Sequence, residues 1–175
     1  MKITSVDSAN NLFLIQDFYQ QSLIDAISKH DCNTYAYENL LVEGKYTRRN
    51  ILQGQKYITQ LHSQSMQNIK EIGKFLNKNL KLQSYNVWYD LPGYSMTAHL
   101  DNVSHVKIGM QVYLTNSNQS LGTYFYNNSN IRYFFPYTAN TGYMMINSVE
   151  QYHAAPVVVP NNTTRLSVYH RISIA

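Results

Sequence analysis

Leu82-Gln83-Ser84-Tyr85-Asn86-Val87-Trp88-Tyr89 is the stretch at which the chain changes its pattern. Before it, apolar residues recur at helical spacing. From it onward they come in short β-branched and aromatic runs broken by turn residues. Leu91-Pro92-Gly93-Tyr94 closes this first run as a turn. Strand-like runs follow at residues 106–114, 122–126, 131–135, 142–147, 155–159 and 165–174, with turn-forming clusters at 116–119, 127–130, 140–142 and 160–162 between them. About seven or eight short strands at this spacing predict a sandwich or barrel-like jelly roll.

Working back towards the N-terminus, Asn11-Leu12-Phe13-Leu14-Ile15-Gln16-Asp17-Phe18 reads as a short apolar strand running into Asp17, an expected helix N-cap. Phe18, Leu23, Ile24 and Ile27 then recur at helical spacing. Residues 30–55 show no regular period. They are expected to be irregular, with the basic run Lys45-Tyr46-Thr47-Arg48-Arg49 as a solvated loop or a lid over substrate. From about residue 55 to 79, Ile58, Leu61, Met66, Ile69, Ile72, Phe75 and Leu76 predict one long amphipathic helix. The expected organisation is a single domain over residues 1–175. A helical region over 1–80 packs on one sheet of a β core over 81–175, an α+β fold that is mainly β.

Composition narrows the function classes. The chain has 175 residues, enough for one domain with its own core. With 44% hydrophobic and 14% charged residues, it does not have the composition of a disordered chain. A net charge of +4, scattered along the sequence, suits an anionic ligand but gives no strong nucleic-acid signal. Cys32 is the single cysteine, so no intrachain disulfide forms. The N-terminus lacks the apolar run of a signal peptide, and no segment reaches the ~20 apolar residues of a membrane span. A cytoplasmic protein without a membrane partner is expected. The sixteen Tyr and abundant Asn fit the codon usage of an AT-rich genome, such as that of a phage or an AT-rich bacterium.

The chemistry-bearing stretch is Thr97-Ala98-His99-Leu100-Asp101-Asn102. Residues two apart in a strand share a face, so His99 and Asp101 can project together into a barrel. Imidazole with carboxylate suits iron(II), whereas structural zinc favours thiolates. Tyr152-His153 and Arg165-Leu166-Ser167 come later, each on a predicted strand. Two His and one carboxylate occupy three adjacent positions around an iron and leave three open. A 2-oxo acid can take two of these and O2 the third. The far carboxylate of that acid then needs a buried cation, which the fork of Arg165 supplies, with the Ser167 hydroxyl as a further donor.

This H-x-D, His, R-x-S order resembles the 2-oxoglutarate/iron(II) oxygenases, and within them the prolyl-hydroxylase-like branch. The resemblance covers roughly residues 82–174 and implies a double-stranded β-helix. It implies His99, Asp101 and His153 as ligands of Fe(II), with 2-oxoglutarate and O2 as co-substrates. The implied reaction is hydroxylation of a substrate, with 2-oxoglutarate converted to succinate and CO2. Trp88-Tyr89-Asp90-Leu91-Pro92-Gly93-Tyr94 is similar to the segment that brings a tyrosine towards the co-substrate in that branch, and Tyr89 matches the position. Val112-Tyr113-Leu114-Thr115-Asn116 resembles the strand whose tyrosine meets the distal carboxylate, here Tyr113. Leu121-Gly122-Thr123-Tyr124-Phe125 resembles the glycine-led strand after it. Collagen-type prolyl hydroxylases are expected to carry Lys where this chain has Arg165, a departure from that subgroup. Asp101 is the carboxylate that related halogenases lose, so its presence implies hydroxylation. The branch points to a peptidyl side chain such as proline as substrate, with a small molecule or nucleotide left open.

Trp88, Tyr94, Arg132 and Arg48 are candidates for the substrate mouth. The aromatics of residues 124–137 are expected to be sheet packing. His30, His62, His105 and His170 lack partners at metal spacing and are expected to be solvated or core residues. Cys32 is expected to be a small buried or loop residue. The alternative class is a non-catalytic jelly-roll binding or structural module in which His99 and Asp101 are incidental. Such a module gives no reason for an Arg inside a barrel, where an unpaired charge is costly. Cupins use several His and a Glu in a different order.

Overall fold

The computed structural model describes residues 1–9, 11–101, 107–146 and 151–175. His105, with Asn102, Val106 and Asn147, lies outside the described residues. In chain order the elements are β1 (Lys2–Asp7), β2 (Leu12–Gln16), α1 (Gln21–Ser28), β3 (Tyr37–Val42), β4 (Lys45–Ile51), α2 (Lys56–Leu76), β5 (Leu80–Asp90), β6 (Met96–His99), β7 (Ile108–Tyr113), β8 (Thr123–Asn127), β9 (Asn130–Phe135), β10 (Thr141–Ile146), β11 (His153–Ala155) and β12 (Arg165–Ile174). The strands form two antiparallel sheets. The larger runs β1-β2-β10-β7-β12-β5-β4-β3 and the smaller runs β6-β11-β8-β9. The architecture is the jelly roll that the strand spacing predicts, with helices covering one face of the larger sheet.

Strand alternation sorts each residue to one side of the larger sheet. On β12, Leu166, Val168 and Ile172 join the main core with Ile58, Leu61, Ile69 and Ile72 of α2. Their neighbours Arg165, Ser167 and Tyr169 therefore face the smaller sheet. On β5, Tyr85, Val87 and Tyr89 face the helices, leaving Trp88 and Asp90 for the interior between the sheets. His170 faces the helices as well. Its Nε2 lies 2.9 Å from Ser65 Oγ of α2 and 3.1 Å from Tyr19 Oη, so a neutral imidazole is held by hydroxyls inside the core.

Three expectations are corrected. The front of the chain is not a helical region: β1 to β4 all hydrogen-bond into the larger sheet. The basic run at 45–49 is strand β4 rather than a loop. It is joined to β3 by Glu43-Gly44, both at positive φ (49° and 77°), the conformation a two-residue hairpin turn requires. Asp17 does not cap α1. It sits at φ 52° in the turn after β2, its amide donates to the Asn140 carbonyl, and α1 begins after Gln20. In α2 the buried stripe runs Ile58, Leu61, Ser65, Ile69 and Ile72, which leaves Met66 and Phe75 exposed. Among the described residues, no helix is long and apolar enough to cross a membrane.

Candidate active site

A cavity of about 210 Å³ opens between the sheets. Trp88 (β5), Gln111 (β7), Tyr143 (β10), Arg165 and Tyr169 (β12) contribute from the larger sheet, and His99 (β6), Thr123 (β8) and His153 (β11) from the smaller. The jelly roll thus brings inward-facing residues from strands far apart in sequence onto one space.

His99 and His153 are partners in the β6–β11 ladder, with ring centroids 4.4 Å apart. Asp101 follows directly after β6. One ligand atom from each of the three lies within 4.8 Å of the others, a group able to hold a metal ion. The tautomers suit this. His99 Nδ1 donates to the Thr97 carbonyl and His153 Nδ1 to the Gln151 carbonyl, each at 3.0 Å. Both Nε2 lone pairs are left pointing inward. They lie 3.9 and 3.8 Å from Asp101 Oδ1. Burial pushes the pKa of His153 down, only partly opposed by the Asp101 carboxylate, with His99 adding to the drop. The imidazole is therefore neutral, the form that binds metal.

The second carboxylate oxygen of Asp101 is taken. Tyr169 Oη donates to Oδ2, and the Tyr169 ring stacks on Trp88 at 4.9 Å. Burial first, then the adjacent carboxylate, raise the pKa of Tyr169, so the phenol stays a donor. Gly109 keeps this contact open. A Cβ there would stand 2.7 Å from Tyr169 Oη and 3.3 Å from Asp101 Oδ2.

Across the cavity stands Arg165, 1% exposed. Its Nε and Nη1 have no hydrogen-bond partner among the described residues. The rings of Tyr94, Tyr137 and Tyr113 surround it at 5.6, 5.6 and 5.9 Å. Orphaned N–H groups on a buried cation are costly unless something fills the space. A carboxylate that meets the fork side-on satisfies them, so this donor set fits an oxo diacid. Tyr113 donates to Thr123 Oγ1 at 2.8 Å. Ser167 Oγ accepts from Gln111 Nε2 at 2.9 Å, and Gln111 Oε1 accepts from Tyr143 at 3.1 Å.

Of the substrate-mouth candidates, Trp88, Tyr94 and Arg48 line the cavity. Arg132 does not: it pairs with Asp7 at 3.1 Å. Tyr89 is also displaced. It lies opposite Leu166 in the β5–β12 register and packs in the helix-side core. Tyr94, beyond the turn, stands beside Arg165 instead. Asp90, Gln111, Tyr143 and Tyr169 are not among the candidates that the sequence singles out. Two of them carried a signal: Gln111 is a polar residue inside an apolar run, and Tyr169 continues the period-2 series from Arg165 and Ser167.

No protein-family model matches the chain, and no curated protein matches it in sequence. Solved structures do match the fold. A 2OG-Fe(II) oxygenase family oxidoreductase from Burkholderia pseudomallei superposes with a TM-score of 0.70 at 11% identity, over 93% of this chain and 85% of that one. The non-heme alpha ketoglutarate dependent epimerase SnoN of nogalamycin biosynthesis gives 0.68 at 10% identity, over 94% and 78%. A Pseudomonas putida prolyl-4-hydroxylase gives 0.63 at 14% identity, over 94% and 93%. The chain therefore has the fold of these proteins, the 2OG-Fe(II) oxygenase and the prolyl hydroxylase among them.

Proposed function

We propose that this chain, as one domain over residues 1–175, is an iron(II)- and 2-oxoglutarate-dependent dioxygenase that hydroxylates its substrate. One observation carries the reading. A His-Asp-His group able to hold a metal shares a cavity with a buried Arg165 whose Nε and Nη1 have no hydrogen-bond partner among the described residues. A structural module without a ligand gives no reason to bury such a cation beside a metal-holding group.

His99, Asp101 and His153 would hold the metal. With 2-oxoglutarate it would supply O2 activation for C–H oxidation, leaving succinate and CO2. The protein's own contribution is positional. The Thr97 and Gln151 carbonyls fix the two imidazoles, and Tyr169 holds one oxygen of Asp101, which would leave the other for the metal. Arg165 takes the far carboxylate of 2-oxoglutarate, with Ser167 and Tyr113 on the same inner face. Phe125, stacked on His153 at 5.4 Å, and Tyr143 close the inner wall against water. Trp88 and Met96 supply an apolar flank for the substrate. The likeness to a prolyl-4-hydroxylase supports a peptidyl side chain such as proline as the substrate class. A single cysteine and a ferrous centre suit a reducing cytoplasm.

The test is oxygen-dependent release of succinate by protein supplied with Fe(II) and 2-oxoglutarate. Wild-type protein should release it, faster with a proline-containing peptide substrate, and Asp101→Ala should release none. Wild-type turnover in Asp101→Ala would overturn the metal assignment.

A further inference from the structure

Asp90 is fully buried and stands in the middle of a row across three strands. It pairs with Arg48 on β4 and with Arg165 on β12 in the two ladders that flank β5. The two arginines treat it differently. Arg48 grips both oxygens, Nε to Oδ1 at 2.5 Å and Nη2 to Oδ2 at 3.0 Å. Arg165 Nη1 stays 3.6 Å from Oδ2, too far for a hydrogen bond, and is left with Nε unpaired. Arg48 is itself fixed. Its guanidinium lies 4.0 Å over Trp88 and 4.3 Å over Tyr94, and it donates to Tyr94 Oη at 2.5 Å.

We infer that Arg48 is a positioning residue that holds Asp90 away from Arg165 and so keeps the co-substrate anchor open. The row carries two positive charges and one negative, and Arg48 claims the negative one. One cationic fork is left at Arg165, a match for one carboxylate. Without Arg48, Asp90 would need to close by less than about 1 Å to pair with Arg165. The chain would then occupy its own anchor with a buried ion pair. The inference rests on Arg165 being the 2-oxoglutarate anchor and assigns a role to two residues that do not touch the metal.

The experiment is an anaerobic titration of 2-oxoglutarate into Fe(II)-loaded protein, read as Kd from the visible charge-transfer band. The 2-oxoglutarate-dependent rise in Tm gives a second readout. Arg48→Gln should weaken 2-oxoglutarate by roughly tenfold or more, with Fe(II) affinity unchanged. Asp90→Asn alone should bind it as tightly as wild type or more so, because a carboxylate that repels the ligand has gone. The double variant Arg48→Gln/Asp90→Asn should recover most of the loss. If Arg48→Gln does not fold, Arg48→Lys keeps the charge without the fork, and weakened binding relieved by Asp90→Asn is expected there too. Unchanged affinity in the Arg48 variant, or a double variant no better than the single, would overturn the inference while wild-type binding still stands. Absence of wild-type binding would overturn the oxygenase reading itself.

Discussion

His99 faces His153 across the ladder between β6 and β11, so a metal held by both would bridge an edge strand to its neighbour. β6 is four residues long and pairs with β11 alone in its sheet. Metal binding should therefore stabilise the fold. At a free metal concentration a hundred times Kd, binding to the native state alone adds about 2.7 kcal/mol. For a chain of this size that is a rise in Tm of roughly 5–10 °C. Thermal melts with Fe(II) kept anaerobic, or with Ni(II) as a redox-silent substitute, should show it. A chelator should reverse it, and His99→Ala should lack it.

Tyr169 fixes the orientation of the carboxylate ligand. Tyr169→Phe keeps the stack on Trp88 but frees Asp101 Oδ2. Metal affinity should fall by roughly 10- to 100-fold, the usual cost of losing such a supporting hydrogen bond. Gly109→Ala should act in the same direction by crowding the Tyr169 hydroxyl. Metal titrations of both variants check this, and wild-type affinity in Tyr169→Phe would show that Asp101 needs no such support.

Arg165 offers a planar fork that a lysine cannot copy. Arg165→Lys keeps the charge and should raise the KM for 2-oxoglutarate by roughly tenfold, and Arg165→Ala by far more. Metal affinity should stay near wild type in both. Steady-state succinate release over a range of 2-oxoglutarate concentrations reads the difference.

His170 makes the fold acid-sensitive. Burial pushes its pKa down from 6.5 to about 3, slightly opposed by a hydrogen bond to the Met110 carbonyl. The groups facing it are the hydroxyls of Tyr19 and Ser65 and the ring of Phe18, with no carboxylate among the described contacts. Because the folded pKa lies below the unfolded value, the unfolded chain takes up the proton first. The contribution of the neutral imidazole is complete above pH 6.5 and is lost as pH falls towards 3, at about 1.4 kcal/mol per pH unit. Urea unfolding at pH 7 and pH 4.5 should differ by about 2–3 kcal/mol more in wild type than in His170→Gln.

Local period and spacing made much of this architecture legible. The alternation in H-x-D and R-x-S, and the regular return of turn residues, are short-range signals that survive in a single sequence. The β3–β4 hairpin was not legible, because its strand carries Lys45, Arg48 and Arg49, and Arg48 is buried only by virtue of Asp90, a partner on another strand. Tyr89 shows a limit of a different kind. The turn at Leu91-Pro92-Gly93 separates Tyr89 from His99, and a turn resets strand parity. Only the register against β12 reveals that Trp88 and Asp90 face inward. Arg132, a mouth candidate in the sequence, pairs with Asp7 instead, a partner the sequence leaves far away. Gln111 and Tyr169 are within reach of the alternation rule along β7 and β12.

The arrangement proposed is iron held by His99, Asp101 and His153, with 2-oxoglutarate held by Arg165 in the same cavity. It is tested most directly by adding Fe(II) and then 2-oxoglutarate to the purified protein without oxygen and recording the visible spectrum. A metal-to-ligand charge-transfer band should appear that needs both additions, is absent in His99→Ala and requires more 2-oxoglutarate in Arg165→Ala. A folded wild-type protein that gives no band, or an equal band in His99→Ala, would contradict it.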